Sequence, residues 1–253
     1  MQLRKDSLGE IDEGKPKGLP NLGSTCYVNA SLQSLFLDEI LRSKILRWVP
    51  SQDNFNDPWS CFLEQIKILF TYLESSRRLR FPMCYVLDTL QLSHRLSEDP
   101  CEFTVKFIEI VEVLFEESRI RELKDFVKTH MNLTWTQSRR CTTCGDTAQT
   151  DQHNYGIRLP IPSNIKTFQQ CWDAHFGTEK ITDFSCPKCM QNGQNEDDKR
   201  EQIVEKKILA VPDVLHVRFK RTQYVVFPHE FECGARNANF MTLSFTHFTK
   251  KRF

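Results

Sequence analysis

The chain has 253 residues, 40% of them hydrophobic and 26% charged, the balance of a soluble protein with a sizeable core in one large domain or two lobes. Its 34 basic and 33 acidic residues leave a formal net charge of +1, which gives no electrostatic footprint for nucleic acid. No run approaches about 18 consecutive apolar residues, so no membrane-spanning segment is expected.

Taken in chain order, residues 1–17 read as a polar lead without the apolar centre of a signal peptide. After Cys26, the residues Val28, Leu32, Leu35, Phe36 and Ile40 recur at helical spacing. A second helix is expected from Trp59, Phe62, Leu63, Ile66, Leu69, Phe70 and Leu73, and a third from Phe103, Phe107, Ile110, Val111 and Leu114. The texture then changes near residue 130. "MNLTWTQSRR" and "HNYGIRLPIP" carry β-favouring residues with Pro and Gly punctuation, and "VLHVRFKRTQYVVFP" reads as two strands around a turn. Met190 to Arg200 is polar and reads as a loop. Helices first and strands afterwards predict an α+β fold.

Ten cysteines occur, four of them in two C-x-x-C pairs, Cys141/Cys144 and Cys186/Cys189. In a long chain this pattern favours metal binding or catalysis in a reducing compartment over disulfides, so an intracellular protein of cytoplasm or nucleus is expected. A C-x-x-C turn presents two thiolates to one side, and two such turns make a tetrahedral sulfur site that suits zinc. A closed four-sulfur shell leaves no place for a catalytic water, which makes the expected Zn2+ structural. A redox dithiol would need a strand-to-helix turn in a βαβ unit, which the pattern lacks. Cys61, Cys84, Cys101, Cys171 and Cys233 have no partner spacing and read as packing or surface thiols.

Cys26 stands where the turn-rich "GLPNLGST" meets the first helix. A helix N-terminus favours thiolate, Gly23 lets backbone approach a substrate, and the Cys26 N–H with the Asn21 amide is placed to hold an oxyanion. Free cysteine is equally at home as a buried packing residue. The residue types alone leave Cys26 open between the two.

The whole stretch "GLPNLGSTCYVNASLQSLF" resembles the cysteine box of the ubiquitin-specific proteases, papain-like thiol enzymes that cleave after the C-terminal glycine of ubiquitin. "SEDPCEF" (Ser97 to Phe103) is similar to that family's second box, with Ser97, Glu98 and Pro100 departing from it. The paired C-x-x-C of the family's fingers follows, and "VEKKILAVPDVLHVRFKR" resembles the strands after it. The resemblance implies that Cys26 is the nucleophile and Asn21 an oxyanion donor. It implies that Asp99 meets the basic C-terminal tail of ubiquitin, and that Glu109 and Glu112 meet its arginine-bearing surface, where carboxylates make charge-assisted bonds. Pro100 is compatible with a first helical turn, which would make Asp99 an N-cap. Gln33 reads as a structural hydrogen-bonder.

The family's histidine base comes from a late Gly-His-Tyr box, and no such tripeptide occurs in the sequence. Of the seven histidines, His94, His130, His153, His175, His216, His229 and His247, none stands in a comparable setting; His216 reads as a structural residue in a strand. The expected organisation is a polar lead over 1–17, a partial catalytic domain over 18–232 and an unmatched tail over 233–253. Within the domain, 18–130 would form a helical thumb, and 131–232 the zinc-ribbon fingers with part of the palm. The fold expected is thus papain-like α+β, C-terminally incomplete, with weak or no activity, as in a truncated or spliced product. Ubiquitin and ubiquitinated proteins are the expected partners of a monomer. A non-catalytic ubiquitin-binding module and a zinc-ribbon adaptor are the rival readings.

Overall fold

The computed structural model describes residues 18–50, 57–75, 81, 83–89, 99–161, 167–191 and 199–220. The polar lead, His94, Ser97, Glu98, the strand expected near 222–227, His229, and the tail with Cys233 and His247 lie outside them. Two compact units divide the described residues between Thr129 and His130.

The first unit is helical: α1 (Cys26–Leu37), α2 (Glu39–Arg47), α3 (Pro58–Ser75), α4 (Cys84–Thr89) and α5 (Pro100–Glu116), with the start of α6 (Phe126–Met131). The apolar stripes read from the sequence meet here. Val28, Leu32 and Leu35 of α1, Phe62, Ile66, Leu69 and Phe70 of α3, and Phe107, Val111 and Leu114 of α5 are all buried. Each such side chain contributes roughly 1.5–3 kcal/mol by leaving water. Phe62 meets Phe107 edge to face, 5.7 Å between centroids, and the buried Trp48 donates its indole N–H to the Leu114 carbonyl at 3.2 Å.

Two expectations fail at helix ends. The first apolar face was expected to reach Ile40, yet α1 stops at Leu37 because Asp38 turns extended. The buried Asp38 carboxylate accepts the N–H of Leu41 at 3.0 Å and starts α2 in a new phase, which leaves Ile40 54% exposed. Trp59 is 45% exposed: it lies in the first turn of α3, beside the Asp57 carboxylate that accepts its N–H, outside the stripe that Phe62 and Ile66 continue.

The second unit holds a four-stranded antiparallel sheet in the order β2-β1-β5-β4, from β1 (Leu133–Cys141), β2 (Thr147–Asn154), β4 (Glu179–Phe184) and β5 (Arg200–Ala210). A parallel pair, β3 (Ile157–Pro160) and β6 (Val217–Lys220), stands apart from it. His216 was expected inside the first strand of "VLHVRFKRTQYVVFP"; it sits one residue before β6, and its carbonyl accepts the Ile157 N–H at 2.8 Å. The approach is close, since a Cβ on Gly156 would stand 3.3 Å from that carbonyl oxygen.

The second unit also contains α7 (Phe168–Phe176) and α8 (Pro187–Gln191), where the sequence was read as strands and loops. The start of α7 is a capping box: Thr167 accepts the Gln170 N–H, and the Gln170 side chain accepts the Thr167 N–H, each at 3.2 Å. The signal Thr-x-x-Gln was present in the sequence. Phe168 and Cys171 of α7 are buried with Leu133, Trp135, Leu159 and Val217 in this unit's core.

Candidate active site and metal centre

Cys26 is the first residue of α1, and its thiol is exposed. A packing role is thereby disfavoured, because a packed cysteine would be buried. The loop before it is built by its own side chains. Thr25 Oγ1 accepts the Leu22 N–H at 3.0 Å and donates to Asn21 Oδ1 at 3.0 Å, and the Thr25 N–H reaches the same oxygen at 3.3 Å. Gly23 holds a φ of 124°, a conformation that side chains resist. One turn into the helix, Asn29 Nδ2 donates to the carbonyls of Leu19 and Pro20 at 3.3 and 3.0 Å. Asn29 therefore straps the loop to the helix; its amide was legible in the sequence, but its ten-residue reach was not.

This network sorts the Asn21 amide. Its oxygen is occupied by Thr25, so its NH2 half is the part left for an incoming anion. Cys26 also lies at the end of α1 where backbone N–H groups lack helical partners. An exposed thiol, an amide donor and a helix N-terminus thus share one junction.

The second box is tied to this junction. Ser31 of α1 donates to the Pro100 carbonyl at 3.2 Å, an oxygen that Thr104 also engages at 2.8 Å. Tyr27 packs edge to face on Phe103. Asp99 caps α5 as expected, its carboxylate accepting the Cys101 N–H at 2.8 Å, with Pro100 in the first turn. Farther along α5, Glu109 is exposed with no partner among the described residues. Glu112 is less open, and Lys128 Nζ stands 3.9 Å from it.

In the second unit the sheet register builds the sulfur cluster. Cys141 ends β1 opposite Gln202, and Phe184 ends β4 opposite Arg200, so both C-x-x-C segments emerge at one end of the sheet. The first turns between β1 and β2, closed by the Gly145 N–H on the Cys141 carbonyl at 3.0 Å, with Gly145 at a φ of 70°. The second is not a turn between two strands. It instead runs from β4 into α8, with Pro187 as the first helical residue. Lys188 and Asp146 join the two turns at 3.0 Å.

The four sulfurs lie within 4.8 Å of one another. Cys141 and Cys189 are 3.9 Å apart, and Cys144 and Cys186 are 3.7 Å apart. Thiolates bonded at about 2.3 Å to one tetrahedral ion stand about 3.8 Å from each other, so the cluster has the dimensions of a metal site. The backbone N–H groups of Cys144 and Thr143 bring the Cys141 thiol down to about 6, while burial pushes that of Cys189 up to about 12. Four thiolates this close repel one another, and a cation among them is what allows all to ionise. The residues present fit a bound metal ion.

The described histidines have local duties. His130 is buried with Nδ1 at 3.2 Å from Asp213, and its carbonyl accepts the Val214 N–H. His153 reaches Thr134 at 3.3 Å, and His175 packs against Trp135 and Phe176. No helix among the described residues is long and apolar enough to cross a membrane.

A sequence model of the family described as Ubiquitin carboxyl-terminal hydrolase matches residues 17–249. The chain belongs to that family. The matched span takes in most of 233–253, the segment that the motifs alone left unmatched. Ubiquitin carboxyl-terminal hydrolase 26 of Oryza sativa subsp. japonica is 26% identical over 219 residues, covering 84% of this chain and 19% of that protein. Ubiquitin carboxyl-terminal hydrolase 48 of Gallus gallus is 24% identical over 217 residues, with 81% and 20% covered. Ubiquitin carboxyl-terminal hydrolase 28 of Rattus norvegicus is 31% identical over 115 residues, 41% of this chain and 11% of that protein. The chain thus spans about a fifth of the first two relatives. Helical and sheet units under this family match agree with the papain-like α+β fold of the ubiquitin-specific proteases.

Proposed function

We propose that the chain is the thiol-bearing part of a deubiquitinase, with Cys26 attacking the carbonyl of the bond after the ubiquitin C-terminal glycine. The carrying observation is the exposed Cys26 thiol at the head of α1, beside an Asn21 amide whose oxygen is held and whose NH2 is left to donate. The sulfur forms the new C–S bond, and the carbonyl becomes an oxyanion facing the Cys26 N–H and the Asn21 NH2. Expulsion of the substrate amine, with a proton, leaves a thioester that water hydrolyses to the free ubiquitin carboxylate and thiol. Asp99 attracts the basic C-terminal tail of ubiquitin, and Glu109 and Glu112 its arginine-bearing surface. Asp99 does so with the carboxylate that also caps α5.

The four-cysteine centre holds structural Zn2+, an ion whose preference for tetrahedral thiolates matches the sulfur spacings. The protein acts as a monomer on ubiquitin and ubiquitinated proteins, in cytoplasm or nucleus, where thiols of this kind stay reduced. Nucleic acid is not a partner in this reading, given a net charge of +1, and neither is a membrane.

The proton transfers require a base. A second reading is a ubiquitin-binding module, carried by the exposed carboxylate of Glu109 and the half-buried one of Glu112 on α5. A ubiquitin C-terminal vinyl-type probe, paired with a fluorogenic ubiquitin substrate, separates the two. One adduct at Cys26, lost in Cys26→Ser, with slow turnover is the expected result. Binding of ubiquitin without an adduct supports the module, and neither adduct nor binding sinks both.

A further inference from the structure

We infer that Lys128 is an affinity-tuning positioning residue: held by Glu116 at 3.0 Å, its ammonium stands 3.9 Å from the Glu112 carboxylate, competes there with the cationic side chains of ubiquitin and leaves Glu109 as the open acidic contact. The inference rests on the reading of Glu109 and Glu112 as ubiquitin contacts. Glu112 and Glu116 lie one turn apart on α5 and face the same way. Glu116 Oε1 accepts from the Asp125 N–H at 3.1 Å and from Lys128 Nζ at 3.0 Å. Asp125 holds a φ of 58°, the left-handed turn that leads into α6. The chain after α5 is therefore fastened back onto it, and Lys128 is aimed along its acidic face. In that position its ammonium is 3.9 Å from Glu112 and 3.8 Å from Asp125. Glu112 is 21% exposed at its side chain, whereas Glu109 is open.

A lysine ammonium is a point charge and an arginine a two-pronged donor, so an arginine of ubiquitin displaces Lys128 from Glu112 at a cost instead of being excluded. Exposed ion pairs are weak, which sets the expected cost at about two- to fivefold in affinity. The charge of Lys124 also acts on Glu116, but Lys124 makes no ion pair among the described residues, so it serves as a charge control.

The test is ubiquitin affinity of the chain as wild type, Lys128→Met, Glu112→Gln, the double variant and Lys124→Met, with thermal melts on each. Lys128→Met is expected to tighten binding about two- to fivefold. The gain should vanish in the Glu112→Gln background, shrink as salt rises and exceed that of Lys124→Met. A purely structural role for Lys128 would move the melting temperature without this coupling. Unchanged affinity in Lys128→Met, or the same gain without Glu112, overturns the inference alone. No ubiquitin binding by any variant, wild type included, overturns the contact reading and the inference together.

Discussion

Cys26 and the Cys141/Cys144/Cys186/Cys189 cluster put the same side chain to opposite uses. Cys26 is single and exposed, with hydrogen-bond donors placed around it by a loop that Thr25 and Asn29 hold. The cluster is closed: three of its four residues are buried, Phe184 packs on them, and each sulfur has its complement within one tetrahedral spacing. In the proposed function the thiol with free space and fixed donors is the one that reacts, and the thiols that fill one another's space hold an ion still. The local sequences, Thr-Cys-Tyr and Cys-x-x-Cys, differ less than these surroundings do.

Breaking the closed site should have the largest effect. Structural zinc sites contribute apparent binding energies of about 10–16 kcal/mol in small metal-folded domains. Cys186→Ser should therefore abolish stoichiometric zinc and greatly lower the melting temperature of the second unit. The β1–β2 turn and the β4–α8 junction would lose the link between them. Metal analysis and calorimetry on the purified chain check this. Full zinc content in the variant would refute the assignment.

The open site is sharpened by Asn21→Asp. The acid keeps an oxygen for the two Thr25 bonds but removes the NH2 donor and sets a negative charge beside a forming oxyanion. Loss of one such donor costs about 10²–10³ in rate. Labelling of Cys26 by the ubiquitin probe should slow by at least that order with the melting temperature nearly unchanged. An equal drop in stability would mean that Asn21 only shapes the loop.

Much of this contrast was legible in the residues. The four sulfur ligands follow from spacing, because a C-x-x-C turn is a local object. The cores of α3 and α5 follow from 3.6-residue periodicity, and the Asp99 cap from Asp-Pro ahead of an apolar run. Ile40 was misplaced because periodicity cannot see a break when Asp38 caps a new helix at once. The β4–α8 form of the second knuckle was missed because five residues are too few to show a period. The Asn29 strap and the Lys128 anchor were not legible at all, since each depends on where a distant backbone group or carboxylate arrives.

Asp99 offers a finer cut, because it serves the fold and, in the proposed function, the substrate. Asp99→Ala removes the N-cap and should cost about 1 kcal/mol of stability. Asp99→Asn keeps an acceptor for the Cys101 N–H and should melt close to wild type. If the carboxylate also meets ubiquitin, the two variants should weaken ubiquitin binding alike while differing in stability. Normal affinity in Asp99→Asn would reduce Asp99 to a cap.

The smallest expected effect lies in the second unit, away from the sulfur cluster. His175 packs edge to face on Trp135 and Phe176. Burial, with the nearby Lys206 charge, holds its imidazole below the ordinary 6.5. Lys206 is fixed there by its bond to the His175 carbonyl at 2.9 Å. An unfolded chain takes up a proton at the ordinary value, while the folded one does so only at lower pH. Between the two values the unfolded state binds more protons, so stability rises with pH through that window and falls as pH drops below about 6.5. His175→Phe keeps an aromatic ring in the cluster and removes the titration. Relative to wild type, its melting temperature should hold up better on acidification and match near neutrality. The imidazole proton of His175 followed by NMR should titrate with a midpoint under the ordinary value. A midpoint at or above it would show that the ring, although packed against two aromatics, is solvated well enough to charge freely.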